Sequence, residues 1–277
     1  MLSRPIRWKG LPLPMMLLVI LFAYKPAEVC AQMKPLAEPE GASRIKITVA
    51  GREGFILKPV SPPPRGGPWV WYAPTLLSKN LPNSMCNWLF GQLLQVGISI
   101  AGIDVGESCG DPVKQNPFEA FYNHLVTDFN LSPKPCILVQ SRGGLMLLNW
   151  AADHPENVAA IAGIYPVCDV TSWPGPNKYT EYCDPLSESE FRQLVSAANP
   201  IDRLTVLARN KVPVFFIHGD HDNAVPLGQN SLAFVTRYKE LGGDAALKIV
   251  KGWGHTEIPA YFEDPDLRKF IIQTLNK

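Results

Sequence analysis

From residue 44 onward, short apolar runs alternate with longer stretches that are apolar on one helical face. Ile45 to Ala50 and Phe55 to Val60, separated by Gly-Arg-Glu-Gly, predict a β-hairpin. After the loop Ser61-Pro-Pro-Pro-Arg-Gly-Gly, the run Trp69-Val-Trp-Tyr72 predicts a strand, Trp88 to Gln95 a helix, and Ile98 to Ile103 another strand. The rhythm continues with a helix over Phe118 to Phe129, a strand over Cys136 to Val139, a helix over Gly143 to His154 and a strand over Ala160 to Tyr165. Residues 168 to 205 interrupt it with Trp173-Pro-Gly-Pro, Tyr179, Tyr182 and one helix from Glu188 to Ala198, and this segment is expected to form a small lid. The alternation then returns at Val212 to His218, Leu232 to Leu241, Ala246 to Val250 and Pro265 to Leu275. Strands and helices taking turns at these lengths imply an α/β fold, a mostly parallel sheet with helices on both faces. One domain is expected from 32 to 277, with no internal repeat.

At the turn after the Cys136 strand stands Gln-Ser-Arg-Gly-Gly, residues 140 to 144. A serine at a strand-turn-helix corner projects from the sheet tip, and the amides opening the next helix point at whatever its hydroxyl attacks. In an open parallel sheet, reactive groups collect beyond the carboxyl ends of the strands. Two further groups fall there: the carboxylates of His218-Gly-Asp-His-Asp-Asn-Ala-Val-Pro226 and the histidine of Gly252-Trp-Gly-His255. Serine, acid and histidine in that chain order, each after a strand, make the set specific.

On these three motifs the chain resembles the α/β-hydrolase fold superfamily over essentially all of residues 44 to 277. The resemblance implies that Ser141 is the nucleophile, that His255 is the base and that an aspartate orients His255. A serine hydroxyl needs such a base, and imidazole, with a reference pKa of about 6.5, is available unprotonated near neutrality. In the family pattern the second aspartate of Gly-Asp-x-Asp faces the histidine, which selects Asp222 and leaves Asp220 to shape the turn. The oxyanion would be held by the backbone N–H of Arg142 and by a second donor, Thr75 or Leu76, from the loop after the Trp69 strand, where Pro74 has no N–H to give. Two departures stand out: Val139 occupies the position where the family has glycine, and no His-Gly-Gly loop is present. Arg142 is expected either to meet a substrate carboxylate or to pair with Glu107, and the lid aromatics either to line a pocket or to pack onto the domain. His154 and His218 are read as element ends, His124 and His221 as peripheral.

Composition narrows the classes. The chain has 277 residues, 46% of them hydrophobic and 18% charged, with a formal net charge of +1. Without clustered Lys and Arg, nucleic acid is excluded as a partner. Arg4, Arg7 and Lys9, the apolar run Met15 to Tyr24 and Val29-Cys-Ala31 read as a signal peptide over residues 1 to 31, so a secreted or periplasmic location is expected. The apolar run is too short for a stable membrane span. Removing Cys30 leaves Cys86, Cys109, Cys136, Cys168 and Cys183, an odd number in an oxidising compartment. The pairing first expected is Cys168 with Cys183, with Cys86 and Cys109 as a second bridge and Cys136 unpaired. No C-x-x-C or paired-His spacing suggests a metal, and no cofactor is expected.

The sequence therefore reads as a secreted serine hydrolase that cleaves carboxylic esters, with a small ester or acyl compound as substrate. The alternatives are a peptidase resembling the prolyl-oligopeptidase group, whose Ser-x-Gly-Gly elbow is similar, and a non-catalytic binding protein on the same fold. No propeller or other large substrate-selecting module accompanies the hydrolase segment, which favours esters over peptides.

Overall fold

The computed structural model describes Lys34, Leu36 and residues 42–59 and 66–276. The expected signal peptide, Cys30, most of the lead-in before Ser43 and the proline run of 61–65 lie outside the described residues. The elements follow the predicted order. The strands are β1 (Ser43–Val49), β2 (Arg52–Lys58), β3 (Trp69–Ala73), β4 (Ser99–Ile103), β5 (Cys136–Gln140), β6 (Ala160–Ile164), β7 (Val214–Gly219) and β8 (Ala245–Val250). The helices are α1 (Asn87–Gln95), α2 (Asn116–Asp128), α3 (Gly143–Asp153), α4 (Tyr179–Tyr182), α5 (Glu188–Ala198), α6 (Leu204–Arg209), α7 (Ser231–Glu240), α8 (Pro259–Phe262) and α9 (Pro265–Leu275).

All eight strands form one sheet in the order β1-β2-β4-β3-β5-β6-β7-β8. β1 and β2 pair antiparallel, as do β2 and β4, and from β4 through β8 the pairing is parallel. The hairpin expected from the two-residue period is thus the sheet's antiparallel edge. Strands buried on both faces read as continuous apolar runs, and successive side chains go to opposite sides. In β3, Trp69 and Trp71 join the core beneath α2, α3, α6 and α7, whereas Val70 and Tyr72 join the core beneath α1, α8 and α9. β5 repeats this, with Ile137 and Val139 on the first side and Cys136 and Leu138 on the second. A third, smaller core lies under the lid, where Tyr179, Phe191, Leu194 and Ala198 pack on Leu145, Val167 and Val225. Among the described residues no helix is long and apolar enough to cross a membrane.

Helix ends follow local chemistry. α5 starts on a capping box in which Ser187 accepts from the Glu190 N–H and the Glu190 carboxylate accepts from the Ser187 N–H. α9 starts on Asp264, whose side chain accepts from the N–H groups of Asp266 and Leu267, with Pro265 at the first helical position. α6 was not expected from the sequence: at six residues it shows too little of a helical period to read.

The cysteine pairing differs from expectation. Cys109 is bridged to Cys183, with Cα atoms 6.1 Å apart, and Cys86, Cys136 and Cys168 are free and buried. Cys86 cannot meet Cys109 because it belongs to the core on the α1 and α9 side, while Cys109 belongs to the core under the lid. Cys168 is anchored in the core on the opposite face, its N–H bonded to Asn230 Oδ1. The bridge therefore ties the end of α4 to the loop after β4, across the lid.

Val139, which replaces the family glycine, sits without exposure in the core and the crowding falls on the other side of the serine. A Cβ on Gly143 would lie 2.2 Å from the Ala73 carbonyl oxygen, and one on Gly144 would lie 2.1 Å from that of Val167. Backbone cannot yield there as a flexible side chain can, so Gly143 sets how closely α3 approaches the end of β3 and Gly144 how closely it approaches the segment after β6. Gly143→Ala is expected to cost roughly 3 kcal/mol or more. Gly228, around which a Cβ would meet nothing within 4 Å, supplies the control. In denaturant unfolding Gly228→Ala should stay within about 0.5 kcal/mol of wild type; equal midpoints for the two variants would refute this packing argument.

Candidate active site

Ser141 lies between β5 and α3 with φ at 49°, a left-handed conformation that a residue with a Cβ adopts only under constraint. Its backbone is tied on both sides. The N–H donates to Ile164 O at 3.0 Å, and the carbonyl accepts from Gly144 N at 3.0 Å and Val167 N at 2.8 Å. Three neighbouring segments thus impose the turn that lifts the hydroxyl off the sheet.

His255 reaches Ser141 from the loop after β8, with its Nε2 2.8 Å from Ser141 Oγ. Its Nδ1 is 2.7 Å from Asp222 Oδ2. A carboxylate only accepts, so it fixes the proton on Nδ1 and leaves Nε2 to accept from the serine hydroxyl. The Asp222 side chain is fully buried and His255 about one quarter exposed. Asp222 Oδ1 accepts from the N–H groups of Ala224 at 3.0 Å and Val225 at 2.8 Å. His218, wholly buried at the end of β7, brings Nε2 to 3.2 Å from Asp222 Oδ2. Burial alone would raise the Asp222 carboxyl, but hydrogen bonds from His218, His255 and the Val225 amide outweigh it and hold the group well below the usual carboxylate range.

Asp220 points elsewhere. Its Oδ1 accepts from Gly252 N at 2.6 Å and lies 2.7 Å from His221 Nδ1. It braces the start of the histidine loop as well as bonding its neighbour His221, and its carboxyl pKa is lowered by the His221 ring and then the Gly252 amide. The Asx-type turn expected of Asp220 is made by Asp222.

Of the oxyanion candidates, Arg142 is the residue preceding α3, so its N–H belongs to the unsatisfied amides at that helix end. Leu76 gives its N–H to Leu81 O at 3.1 Å, and Thr75 is buried with its hydroxyl 3.3 Å from Tyr72 O. That leaves Thr75 as the remaining amide of the pair. The Arg142 side chain forms an ion pair with Glu107, the internal pairing that was one of its two expected roles. Its guanidinium also lies 5.2 Å from the Trp173 ring centre and 5.9 Å from that of Tyr182. These two lid rings meet each other at 5.2 Å, while Tyr179 turns inward against Phe191. Beside them a cleft of about 380 Å³ opens between the lid and the loop after β4, lined by Arg52, Glu107, Lys114, Glu181 and Asp184 among others.

Sequence reasoning did not find the polar cluster beneath the serine. Gln140 Oε1 accepts from the Tyr72 hydroxyl at 2.5 Å, and Gln140 Nε2 lies 3.2 Å from the Tyr165 hydroxyl and 2.9 Å from Glu257 Oε1. Glu257 Oε2 accepts from Asn83 Nδ2 at 2.9 Å. Burial, and then nearby Cys86 and Glu257, pushes the Tyr72 phenol up; burial followed by Glu257 does the same to Tyr165. Both phenols are therefore neutral, with the Tyr72 hydroxyl donating to Gln140 Oε1 and the Tyr165 hydroxyl accepting from Gln140 Nε2. Among the described residues no group of three or more His, Cys, Asp or Glu side chains is placed to share a metal ion.

A family model described as the prolyl oligopeptidase family matches residues 119–269, more than half of the chain. No curated protein matches the sequence. Among solved structures, a prolyl endopeptidase is similar with a TM-score of 0.70 and 18% identity, covering 86% of this chain and 39% of that one. A putative dipeptidyl aminopeptidase IV from Bacteroides ovatus gives 0.66 and 16%, covering 85% and 35%. Est1E from Butyrivibrio proteoclasticus gives 0.63 and 17%, covering 86% of this chain and 100% of that one. The chain thus spans well under half the length of the two peptidase structures and the full length of Est1E.

Proposed function

This chain belongs to the prolyl oligopeptidase family, and from that premise we propose that it is a serine peptidase in which Ser141, His255 and Asp222 carry the reaction. The fold and family make it a serine hydrolase; the observation that carries the residue assignment is the unbroken line from Ser141 Oγ through His255 to Asp222 Oδ2. Ser141 Oγ attacks the carbonyl carbon as its proton passes to His255 Nε2. Asp222, held ionised by the His218, His255 and backbone N–H groups that donate to it, stabilises the imidazolium. The Arg142 N–H, with Thr75 as second donor, holds the oxyanion. The tetrahedral intermediate collapses, His255 returns the proton to the leaving amine, and an acyl-enzyme remains for water to cleave by the same steps in reverse.

Peptides are favoured over simple esters by the family match. Export is part of the proposal. It is supported by the basic start and apolar run of the first 31 residues and by the Cys109–Cys183 bridge, since disulfides persist in oxidising compartments.

The test is a panel of aminoacyl and dipeptidyl arylamides run beside aryl esters of increasing chain length. Amides should be hydrolysed with kcat/KM in the ordinary enzymatic range, above about 10⁴ M⁻¹s⁻¹ for the best of them. Rapid ester cleavage without measurable amide cleavage would reject the peptidase reading in favour of a carboxylic ester hydrolase.

A further inference from the structure

The histidine loop is held at its start but needs a second fixed point. On the upstream side Gly252 N donates to Asp220 Oδ1 at 2.6 Å, His221 N donates to Trp253 O at 3.0 Å, and the Tyr261 hydroxyl donates to Gly254 O at 3.0 Å. Downstream of His255, where Ile258 already packs against the core, Glu257 adds a polar anchor to the body. One of its oxygens accepts from Gln140, the residue immediately before the nucleophile, and the other from Asn83, in the segment leading to α1. Gln140 in turn receives the Tyr72 hydroxyl from β3 and bonds that of Tyr165. The Tyr165 ring lies 4.5 Å from the His255 ring, centre to centre.

We infer that Glu257 is a positioning residue for the reaction proposed above, locking the loop that carries His255 to the strand that carries Ser141. Glu257 is bonded by amide N–H groups at both oxygens, an arrangement that a carboxylate, which only accepts, satisfies in full. Asn83 cannot reverse its amide without loss, because its Oδ1 accepts from Met85 N at 3.0 Å. A glutamine at 257 would thus face a donor with a donor at one end, and an alanine would leave the Gln140 and Asn83 amides short of acceptors in a buried setting. The consequence falls on geometry at the 2.8 Å contact between Ser141 and His255, since displacement of the loop by a fraction of an ångström misaligns the proton transfer.

The inference rests on the serine-hydrolase reading, and its test separates the two. Wild type, Glu257→Ala, Glu257→Gln and Asn83→Ala are compared for kcat and KM on the best amide substrate, for the rate of fluorophosphonate labelling at Ser141, and for melting. Glu257→Ala is expected to lower kcat roughly 10- to 100-fold with KM within about threefold, and to slow labelling in proportion. Glu257→Gln and Asn83→Ala, each keeping one of the two bonds, should fall between it and wild type. Folded Glu257→Ala that labels at the wild-type rate would overturn the inference, and so would a rate loss accounted for by a smaller folded fraction. Should Glu257→Ala fail to fold, wild-type rates in both partial variants would overturn it just as well. Wild type that does not label at Ser141 would instead reject the hydrolase reading itself.

Discussion

Ser141→Ala is expected to lower kcat roughly 10⁴- to 10⁶-fold while leaving a folded, substrate-binding protein. The hydroxyl is the only part of the side chain that the replacement removes, and its partner His255 at 2.8 Å then has no nucleophile to deprotonate. The backbone bonds to Ile164, Gly144 and Val167 persist, so the turn keeps its shape. Alanine still carries a Cβ at φ 49°, whereas glycine relieves that constraint. Ser141→Gly should accordingly be the more stable of the two by about 1 kcal/mol, although equally inactive. Activity and unfolding midpoints measured on both variants check the two halves of the argument. Residual turnover within about tenfold of wild type in either variant would refute the nucleophile assignment.

The second large effect distinguishes two aspartates on one loop. Asp222→Asn is expected to lower kcat by about 10⁴-fold, because an amide can present its NH₂ to His255 Nδ1 and so favour the wrong tautomer. Asp220 is bonded to Gly252 and His221 and not to His255. Asp220→Asn should therefore cost less than about tenfold, acting through the start of the histidine loop. Steady-state kinetics on the two variants, with substrate at several multiples of KM, decide the matter. Comparable losses in both, or a larger loss in Asp220→Asn, would reverse the assignment.

How much of this was readable in the sequence follows from how local each feature is. β3 and β5 are continuous apolar runs because both faces are covered, and such runs are visible without any partner. Ser141, Asp222 and His255 could be picked out because each follows a strand, and parallel strands bring their carboxyl ends to one edge whatever the loop details. The helix α5 was legible to its ends because its capping box lies in the sequence itself.

Features made by distant segments were hidden. The Cys109–Cys183 bridge spans a sequence separation of 74 and depends on the path of the lid, which no periodicity encodes. The cluster of Tyr72, Gln140, Tyr165, Asn83 and Glu257 draws on the loops or strand ends of five segments, with Asn83 and Glu257 separated by 174 positions. None of these residue types is unusual in a loop, and only their convergence beneath the serine gives them a role. Where the close approach of the helix falls was likewise not legible from Val139: it lies at Gly143 and Gly144, against the Ala73 and Val167 carbonyls.

The most direct test of the central claim is covalent. A fluorophosphonate places phosphorus where the substrate carbonyl would sit, and an activated serine displaces fluoride to leave a stable adduct. Intact-mass analysis followed by peptide mapping should show one adduct per chain, on Ser141, forming at least about 10²-fold more slowly in His255→Ala. Folded wild-type protein that remains unmodified, or an adduct mapped to a different serine, would contradict the account.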